Sequence, residues 1–574
     1  MFLIKGYNQI LHIYRLRKKI KKFYLEKGFV ASVRMALQFI TGSLIRKHGR
    51  TYDSWIKNCE HIPSRTEMEG DIKTWKYLPK ISLITPVYNV DPKWLNLCIQ
   101  SVVDQGYPYW ELCLYDDASP SQETLNCLKQ WEVRDERIKV SYGKQNLHIS
   151  GASNKAIQIA TGEFIGLLDN DDTLAPHALF EVVALLQKHP HADFIYSDED
   201  KIDLKGVRSN SFFKPDWSRH LLLSMMYTCH FTVYRRSVVQ KVGGFRLGFE
   251  GSQDHDLALR IIEVIPEEHI FHVPKILYHW RMIPGSTALR VDGKSYAVIA
   301  GQKALQGYLD RNNPGAQIIA GDYTGVYRNK YIINQYEKVS IIIPQDTLSD
   351  EDFALHVTTV RERIHYPSYE IIPITNNDKN LSLAEKYNQG ALVATGAYLL
   401  FLTETTEVLD NDWISPLVEY AQQSDIGVVG SRVLDHQRRI YHMGIILGVG
   451  RGIGYVFRKH FFGYYAFDRA AHEYSAVALP GVMIRKKVFE SLLCFDADRF
   501  PEHHFVIDFC LRARNEKLLT ICTPFAEFVY NPDFLQKGVS YEEVVLSQKW
   551  PEYMAHDPYY NPNLSKKYTD YSLD

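Results

Sequence analysis

The chain has 574 residues, of which 45% are hydrophobic and 23% charged, and its formal net charge is -1. This composition is typical of a globular protein, and the length predicts more than one domain. The eight cysteines form no C-x-x-C pair and no zinc-like spacing, which excludes a zinc-ribbon protein and favours a reducing, cytoplasmic compartment. We expect no nucleic-acid partner.

Positive charge is concentrated at the start of the chain. Met1 to Arg50 carry twelve Lys or Arg and one acid, a charge of +11 that the remaining residues balance with -12. Ile13, Leu16 and Ile20 recur at helical spacing with cations between them, which predicts a basic amphipathic segment over residues 1–75. Such a segment would place the protein at the anionic inner face of the cell membrane, or would pack on the protein's own acidic body.

No membrane span is predicted in this region. The apolar stretch from Phe29 to Ile45 is interrupted by Arg34 and is shorter than the roughly 20 apolar residues that a spanning helix needs. It also lacks the small-residue cleavage site of a signal peptide. We therefore expect a peripheral membrane association at most.

From Lys80 onward, short apolar runs alternate with helix-like segments. The strand-like runs are "ISLITPVYN" (81–89), "WELCLYDDAS" (110–119), "RIKVSY" (137–142) and "EFIGLL" (163–168). This alternation predicts a parallel sheet covered by helices, in an α/β fold.

Acidic residues follow two of these predicted strands. Asp116 and Asp117 end the second run, and Asp169-Asn170-Asp171-Asp172 follow the fourth. Because functional groups in such sheets gather beyond the carboxyl ends of the strands, we expect the two clusters to converge at one rim.

The second half of the chain repeats the pattern of the first. "VSIIIPQD" (339–346) echoes "ISLITPVYN", and "NQGALVATGAYLLFLTETTEVL" (388–409) echoes "NKAIQIATGEFIGLLDNDDTL" (154–174), a period of about 250 residues. The predicted divisions are 1–75 (basic helical segment), 76–300 (first domain), 301–337 (connector), 338–545 (second domain) and 546–574 (tail).

Several longer motifs together resemble family 2 glycosyltransferases of the GT-A fold. They are "ISLITPVYN", "YDDAS", "ATGEFIGLLDNDDTLAPHAL", "YSDEDKID", "FKPDWS", "GGFRLGFEGSQDHDLALR" and "LYHWRMIPGSTA". The chain is most similar to tandem-domain enzymes of bacterial O-antigen and rhamnose-polysaccharide synthesis. The resemblance implies two Rossmann-like GT-A domains with mostly parallel sheets.

Carboxylates beside a diphosphate would repel it unless a divalent cation lies between them, and oxygen ligands suit Mg²⁺ or Mn²⁺. The resemblance implies that Asp171 and Asp172 form the metal- and ribose-binding part of a D-x-D motif, with Asp169 alongside. The alternative is an acid-rich turn in which Asp172 or Thr173 caps a helix.

The donor nucleotide is expected to contact the ends of neighbouring strands. The resemblance places Asp116 on the base or ribose, although it is also a plausible helix cap. The remaining predicted donor contacts are Pro86, Tyr88, Asp117, Asn154, Asp171 and Arg281. Asn154 is equally suited to capping its own helix.

An inverting transfer needs a base that takes the proton of the acceptor hydroxyl. By resemblance this base is Asp254, which otherwise would be a first-turn partner of the helix dipole. Gln253 stands where many relatives carry Glu. Asp256 lies roughly 200° around the same helix, so we expect it to support the local structure.

Four further features have weaker support. His279 is a candidate metal ligand by resemblance, although a lone histidine is more often structural. Trp217 would either stack on a sugar or fill the core. "YSDED" (196–200) would contact a sugar or form a solvated turn, and "PGSTA" (284–288) would close over the donor.

The second copy lacks these residues. Asp116 aligns with Thr375, the 169–172 tetrad with Thr403-Glu404-Thr405-Thr406, and Asp254 with Val506. The sequence therefore predicts an inverting, metal-dependent glycosyltransferase that moves a sugar from a UDP- or dTDP-linked donor to a lipid-linked polysaccharide, with an inactive second domain. A non-catalytic glycan-binding scaffold and a nucleotidyltransferase are the alternatives.

Overall fold

The structure is a computed structural model that describes residues 50–283, 295–375, 381–450, 452–458, 460, 463–530 and 541–574. The predicted basic helix before residue 50 and the "PGSTA" segment lie outside the described residues. Among the helices that are described, none combines the length and the apolar character that a bilayer crossing requires.

Among the residues that the structure describes, the first half contains nine strands. They are β1 (Ile81–Val87), β2 (Trp110–Asp116), β3 (Ile138–Tyr142), β4 (Phe164–Leu167), β5 (Thr173–Leu174), β6 (Phe194–Ile202), β7 (Arg208–Phe212), β8 (Thr232–Arg235) and β9 (Ile270–Arg281).

The helices of the first half precede, alternate with and follow these strands. They are α1 (Tyr52–Asn58), α2 (Arg65–Ile72), α3 (Pro92–Val103), α4 (Gln122–Arg134), α5 (His148–Ile159), α6 (Ala178–Lys188), α7 (Arg219–Ser224), α8 (Arg236–Lys241), α9 (Gln253–Ile262) and α10 (Ser295–Asn312).

Local sequence explains how these elements form. All seven residues of β2 are buried, as expected for a strand covered on both faces by helices. Helix α3 begins where the side chain of Asp91 accepts a hydrogen bond from the backbone N–H of Lys93, with Pro92 in its first turn. Its apolar face, which includes Leu95 and Ile99, is buried.

The strands form one mixed sheet in the order β3-β2-β1-β4-β8-β6-β9-β5, with β7 paired to β6. Strands β1 to β4 pair in parallel, and β8 is antiparallel to both of its neighbours. Strand β6 runs parallel to β9. The carboxyl ends of β1, β2 and β4 therefore meet at one edge, as the sequence predicted.

The second half repeats this architecture. Its strands are β12 (Val339–Pro344), β13 (Tyr369–Ile374), β14 (Tyr398–Phe401), β15 (Glu407–Val408), β16 (Ile426–Leu434), β20 (His472–Glu473), β21 (Val482–Arg485) and β22 (Leu519–Val529), with β10 (Gln317–Ala320) and β11 (Tyr327–Lys330) before them and β17 (Ile440–His442), β18 (Ile445–Leu447) and β19 (Ile453–Tyr455) inserted. The helices are α11 (Asp350–Glu362), α12 (Leu383–Val393), α13 (Ser415–Ala421), α14 (Lys486–Ser491), α15 (Phe505–Asn515), α16 (Tyr541–Lys549) and α17 (Pro551–Ala555).

The two sheets correspond strand by strand. The second has the order β13-β12-β14-β21-β16-β22-β15, which matches β2-β1-β4-β8-β6-β9-β5 of the first. The predicted fold class, two tandem α/β domains, is confirmed. Two predicted boundaries need correction, because α10 continues across residue 300 and α16 continues across residue 545.

One buried polar network is present in both halves. In the first, the carboxylate of Glu111 accepts hydrogen bonds from the Ser82 hydroxyl and from the backbone N–H groups of Thr161 and Gly162. In the second, Glu370 binds Ser340 and Thr395 in the same way. A side chain on Gly162 would lie 2.6 Å from the backbone oxygen of Lys80, so the close approach requires glycine.

The two halves are joined by buried polar contacts. Glu473 of the second half accepts hydrogen bonds from the Ser218 hydroxyl and from His220 Nδ1, the latter at 2.7 Å. Asn561, near the end of the chain, donates to Asp198 of β6 at 2.8 Å. Since buried polar groups are costly to leave unpaired, these contacts fix the halves against each other.

Candidate functional site

The candidate site is a cavity of about 550 Å³ beyond the carboxyl ends of β1, β2 and β4. Predicted donor-binding and acidic residues contribute to its wall, and helix α5 closes one side. The lining residues are Pro86, Val87, Tyr88, Asp117, Asn146, His148, Ile149, Ala152, Asp169, Asn170 and Asp171. The volume is in the range of small-molecule sites.

Asp169 and Asp171 are the two acids of the 169–172 turn that face this cavity. Both are half-buried. Burial and repulsion from Asp169 raise the pKa of Asp171 to about 6. Burial is the larger cause of this shift and the charge of Asp169 the second, so two carboxylates lie close together here, which suits a divalent cation.

Asp172 does not fit its predicted role as a metal ligand. It is fully buried, and its two oxygens accept hydrogen bonds from the Tyr278 hydroxyl at 2.6 Å and from the backbone N–H of Arg281 at 2.6 Å. Burial, followed by repulsion from Asp171 and Asp169, raises the pKa of Asp172 well above its ordinary value. Asp172 therefore anchors the turn to β9. Asp169, and not Asp172, lies beside Asp171 in the cavity.

Asp116 and Asp117 lie at the end of β2, and each is 2% exposed. One oxygen of Asp116 accepts a hydrogen bond from the backbone N–H of Ser119, and the other is buried with no partner among the described residues. Asp117 accepts a hydrogen bond from the backbone N–H of Leu147 at 2.7 Å. The unpaired oxygen of Asp116 is a ready acceptor for a donor group of a ligand.

Asp254 occupies the first turn of α9, within electrostatic reach of the acidic turn. Burial, then repulsion from Asp169, raise the pKa of its carboxyl group to about 6. Asp256 has a different environment, because it accepts hydrogen bonds from Arg246 and Arg260. These ion pairs hold the helix in place, so Asp256 supports the local structure.

His279 and Arg281 lie at the end of β9, beside the acidic turn. Nδ1 of His279 is 2.6 Å from a carboxylate oxygen of Asp200, which orients the ring. Arg281 is 3% exposed, and its Nε donates to the backbone oxygen of Asp171 at 2.7 Å. In this structure Arg281 thus stabilises the turn that carries the acids.

The segment "YSDED" is not a solvated turn, because it forms the buried middle of β6. Each of its three acids is paired: Asp198 with His272, Glu199 with His230, and Asp200 with His279, Arg208 and the hydroxyl of Tyr52. Sequence reasoning missed His230 and Tyr52. A histidine two residues before a buried strand was the only available signal for His230, and no signal indicated that Tyr52 packs here.

Two predicted contacts are structural in this chain. Both ends of the Asn154 amide are bonded to the backbone of Phe245, at 2.8 and 2.9 Å, so Asn154 does not face the donor cavity. Asn388 binds Phe495 in the same way in the second half. Trp217 packs against the core beside Phe194, with ring centroids 6.1 Å apart, which favours its core-filling role.

In the second half, two side chains bind backbone atoms at positions that correspond to cavity-lining residues of the first. By strand register, Asn170 corresponds to Glu404, whose carboxylate accepts hydrogen bonds from the backbone N–H groups of residues 346–348. Ala152, which lines the first cavity, corresponds to Lys386, a buried residue whose Nζ donates to the backbone oxygen of Gln345 at 2.9 Å. The second site is thus occupied by its own side chains.

No three His, Cys, Asp or Glu side chains within the described residues converge closely enough to hold a metal ion alone. Two cavity carboxylates, Asp169 and Asp171, still fit a divalent cation that completes its shell with phosphate oxygens and water, as Mg²⁺ does in nucleotide sites. His279, which pairs with Thr173 across neighbouring strands, lies next to the same turn.

Comparison with known proteins agrees with this internal duplication. Residues 82–243 and 332–493 each match the profile of the family described as "Glycosyl transferase family 2". The two matches fall on the two structural copies, and together they cover more than half of the chain.

Individual relatives give the same picture. The chain is 33% identical over 561 residues to the O-antigen biosynthesis protein RfbC of Myxococcus xanthus, covering 91% of this chain and 43% of that protein. It is 32% identical to the protein y4gI of Sinorhizobium fredii over 94% of this chain and 63% of that protein. The chain therefore spans less than two thirds of the length of these relatives.

Among solved structures, residues 1–349 of TarS from S. aureus, in complex with UDP-GlcNAc, align with 40% of this chain and 66% of that one, at 20% identity and a TM-score of 0.34.

Asp172 and Asp171 should respond differently to substitution. Asp172→Ala leaves the Tyr278 hydroxyl and the Arg281 N–H unpaired, which costs about 1–3 kcal/mol for each buried group. Asp171→Ala relieves repulsion, so we expect the stability to change by about 0.5 kcal/mol or less. Thermal and urea unfolding of the two variants measure this, and equal stabilities would assign Asp172 no anchoring role.

Proposed function

This chain belongs to glycosyl transferase family 2, which confirms the resemblance in its sequence motifs, and on that premise we propose that its first half transfers a sugar from a UDP- or dTDP-linked donor to a bacterial surface polysaccharide. The observation that carries the proposal is the grouping of three acids at the rim where two acidic strand ends meet: Asp169 and Asp171 line the cavity, and Asp254 lies outside its wall but within electrostatic reach of Asp169. A binding scaffold has no need for such a group, in which burial and then repulsion from Asp169 raise the pKa values of Asp171 and Asp254 to about 6.

The nucleotide would occupy the cavity between β1, β2 and α5. The buried oxygen of Asp116 lies at the end of β2 and would accept the imide N–H of uracil or thymine, or a ribose hydroxyl. Asp117 and Tyr88 line the same wall. A divalent cation held by Asp169 and Asp171, with His279 nearby, would offset the negative charge of the departing diphosphate.

Asp254 would serve as the base. Its carboxylate takes the proton of the acceptor hydroxyl while that oxygen attacks the anomeric carbon and the bond to the diphosphate breaks, which inverts the configuration. A pKa of about 6 suits this role, because the group is ionised at neutral pH and is still a better proton acceptor than an ordinary aspartate.

We propose a lipid-linked or polysaccharide acceptor, presented at the inner face of the cell membrane. The support is the charge of +11 in the first 50 residues and the similarity to an O-antigen biosynthesis protein.

We propose that the second half is a non-catalytic support. The position of Asp254 is taken by Val506 on α15, and Glu404 and Lys386 occupy the region that corresponds to the donor cavity. The buried contacts of Glu473 and Asn561 with the first half give this domain a direct structural role.

Nucleotide binding should require a divalent cation. In isothermal titration with UDP and dTDP, we expect EDTA to weaken binding by the wild type by about tenfold or more, because the phosphates then face uncompensated carboxylates. Asp169→Asn and Asp171→Asn should lose the benefit of added Mn²⁺. Glu404→Gln, a matched change in the second half, should retain it. Equal binding with and without Mn²⁺ would contradict the metal assignment.

Asp254→Asn should reduce sugar transfer by a factor of about 100 to 10,000, the usual contribution of a general base. Nucleotide affinity should change by about twofold or less, since Asp254 is not part of the cavity wall. Turnover is measured by product mass with UDP-N-acetylglucosamine, UDP-galactose and dTDP-rhamnose as donors and membrane extract as acceptor. Glu263→Gln, at the other end of α9, is the control, and transfer that survives in Asp254→Asn would exclude Asp254 as the base.

The rate of transfer should also depend on the ionisation of Asp254. The base works as a carboxylate, so kcat/KM should fall as the pH drops through about 6 and level off above it. A bound cation would lower the pKa of Asp254 and move the fall to lower pH. A pH–rate profile between pH 4.5 and 8 tests this, and activity that rises towards acid would be inconsistent with a carboxylate base.

A further inference from the structure

Glu199 and His230 form a buried carboxylate–imidazole pair that the reaction described above does not use. One oxygen of Glu199 accepts hydrogen bonds from both the backbone N–H of His230, at 2.6 Å, and its ring Nδ1, at 2.8 Å. Two bonds from one residue to the same oxygen fix both the backbone and the ring plane.

The surroundings of His230 hold the ring rigidly. It stacks on Tyr278 with centroids 4.7 Å apart and packs at 5.3 Å against Trp280. Nζ of the fully buried Lys214 donates to the backbone oxygen of His230 at 2.7 Å. The side chain remains 19% exposed, and Nε2 has no hydrogen-bond partner within the part of the chain that the structure describes.

This nitrogen is a proton donor at neutral pH. Burial disfavours the charged ring, but the hydrogen bond and charge of Glu199, with the charges of Asp169 and Asp172, raise the pKa of His230 to about 9. His230 in turn lowers the pKa values of Asp171 and Asp254, so it lies within electrostatic reach of both the metal-binding turn and the base. His230 does not line the cavity that would hold the nucleotide, but Tyr278, on which its ring stacks, donates its hydroxyl proton to Asp172 of the acidic turn.

The internal duplication distinguishes the Glu199–His230 pair from ion pairs that stabilise the fold in both halves. Pairs that maintain the fold recur in both halves: the ion pair of Asp256 with Arg260 matches that of Asp508 with Arg512. By strand register, however, His230 corresponds to Pro480 and Glu199 to Val433. The pair is missing from the half that also lacks the acidic turn and the base.

We propose that His230 binds the transferred sugar of the donor, its Nε2–H donating to a hydroxyl or carbonyl oxygen of that sugar, and that Glu199 is the positioning residue that keeps the ring charged and oriented. This assignment rests on the proposed function, since it needs a sugar-nucleotide in the cavity. It makes His230 a residue that distinguishes a sugar-nucleotide from the free nucleoside diphosphate.

The test compares two affinities in the full chain with Mn²⁺ present: that for UDP or dTDP, and that for the sugar-nucleotide preferred by the wild type among UDP-N-acetylglucosamine, UDP-galactose and dTDP-rhamnose. His230→Gln should weaken binding of the sugar-nucleotide by about tenfold or more, the value of a charged hydrogen bond, and change nucleotide affinity by about twofold or less. Glu199→Gln should show a smaller loss in the same direction. KM for the donor should rise in both variants.

The matched control is the buried pair of His220 and Glu473 at the interface of the two halves, whose Nδ1–oxygen distance is 2.7 Å. His220→Gln should lower the melting temperature and leave the ratio of the two affinities unchanged. If His230→Gln does not fold, Glu199→Gln carries the test alone. An unchanged ratio in a folded variant of the Glu199–His230 pair overturns this inference only. A wild type that binds neither UDP nor dTDP nor any of these donors overturns the proposed function, and this inference with it.

Discussion

The repulsion among carboxylates at one rim of the first sheet is the constraint on which the rest of the site depends. Asp169 and Asp171 lie on one turn, and Asp254 lies on α9. The charge of Asp169 raises the pKa values of both Asp171 and Asp254. The nearby positive charges are His230 and Arg281, and Arg281 is bonded to the backbone of the turn. Such a cluster destabilises the protein without its ligand, because buried like charges favour neutralisation. Its presence therefore indicates a function. A cation together with a polyanionic ligand removes that cost.

The duplication supplies an internal comparison that a single domain lacks. The network of Glu111 is rebuilt around Glu370, and the amide of Asn154 is matched by that of Asn388. These groups satisfy buried backbone atoms, so losing them would destabilise either half. The residues of the acidic turn have no such function, and in the second half they have become Thr403, Glu404, Thr405 and Thr406. Residues kept in both copies therefore maintain the fold, and residues found in one copy are the candidates for chemistry.

Sequence patterns could predict much of this arrangement, and the failures have physical reasons. Alternating strands and helices predicted the parallel part of the sheet, and the repeat predicted the second domain. Within the acidic turn, sequence could not show which carboxylates face the cavity. The side chain of Asp172 accepts a hydrogen bond from Tyr278, which lies on β9, 106 residues later in the chain. The same limit applies to Asn154 and His230, whose partners are distant in the chain. The direction of such a side chain depends on a partner that is distant in the chain, and local sequence spacing cannot reveal that partner.

Strand β6 ties the first half to the segment before β1 and to the tail of the chain. Its three consecutive acids are tied to three different parts of the chain. Asp198 accepts from Asn561 of the tail, Glu199 from His230 beside the site, and Asp200 from Tyr52 of α1 and from His279. Without Asn561 and Tyr52, Asp198 and Asp200 would each lose one hydrogen bond, at about 1.5–3 kcal/mol for a bond to a charged group, while His272 and His279 would remain bonded to them. The loss would destabilise β6, the strand that carries Glu199 and whose Asp200 orients His279. Contacts from outside the first half thus help to hold in register the strand beside its proposed site.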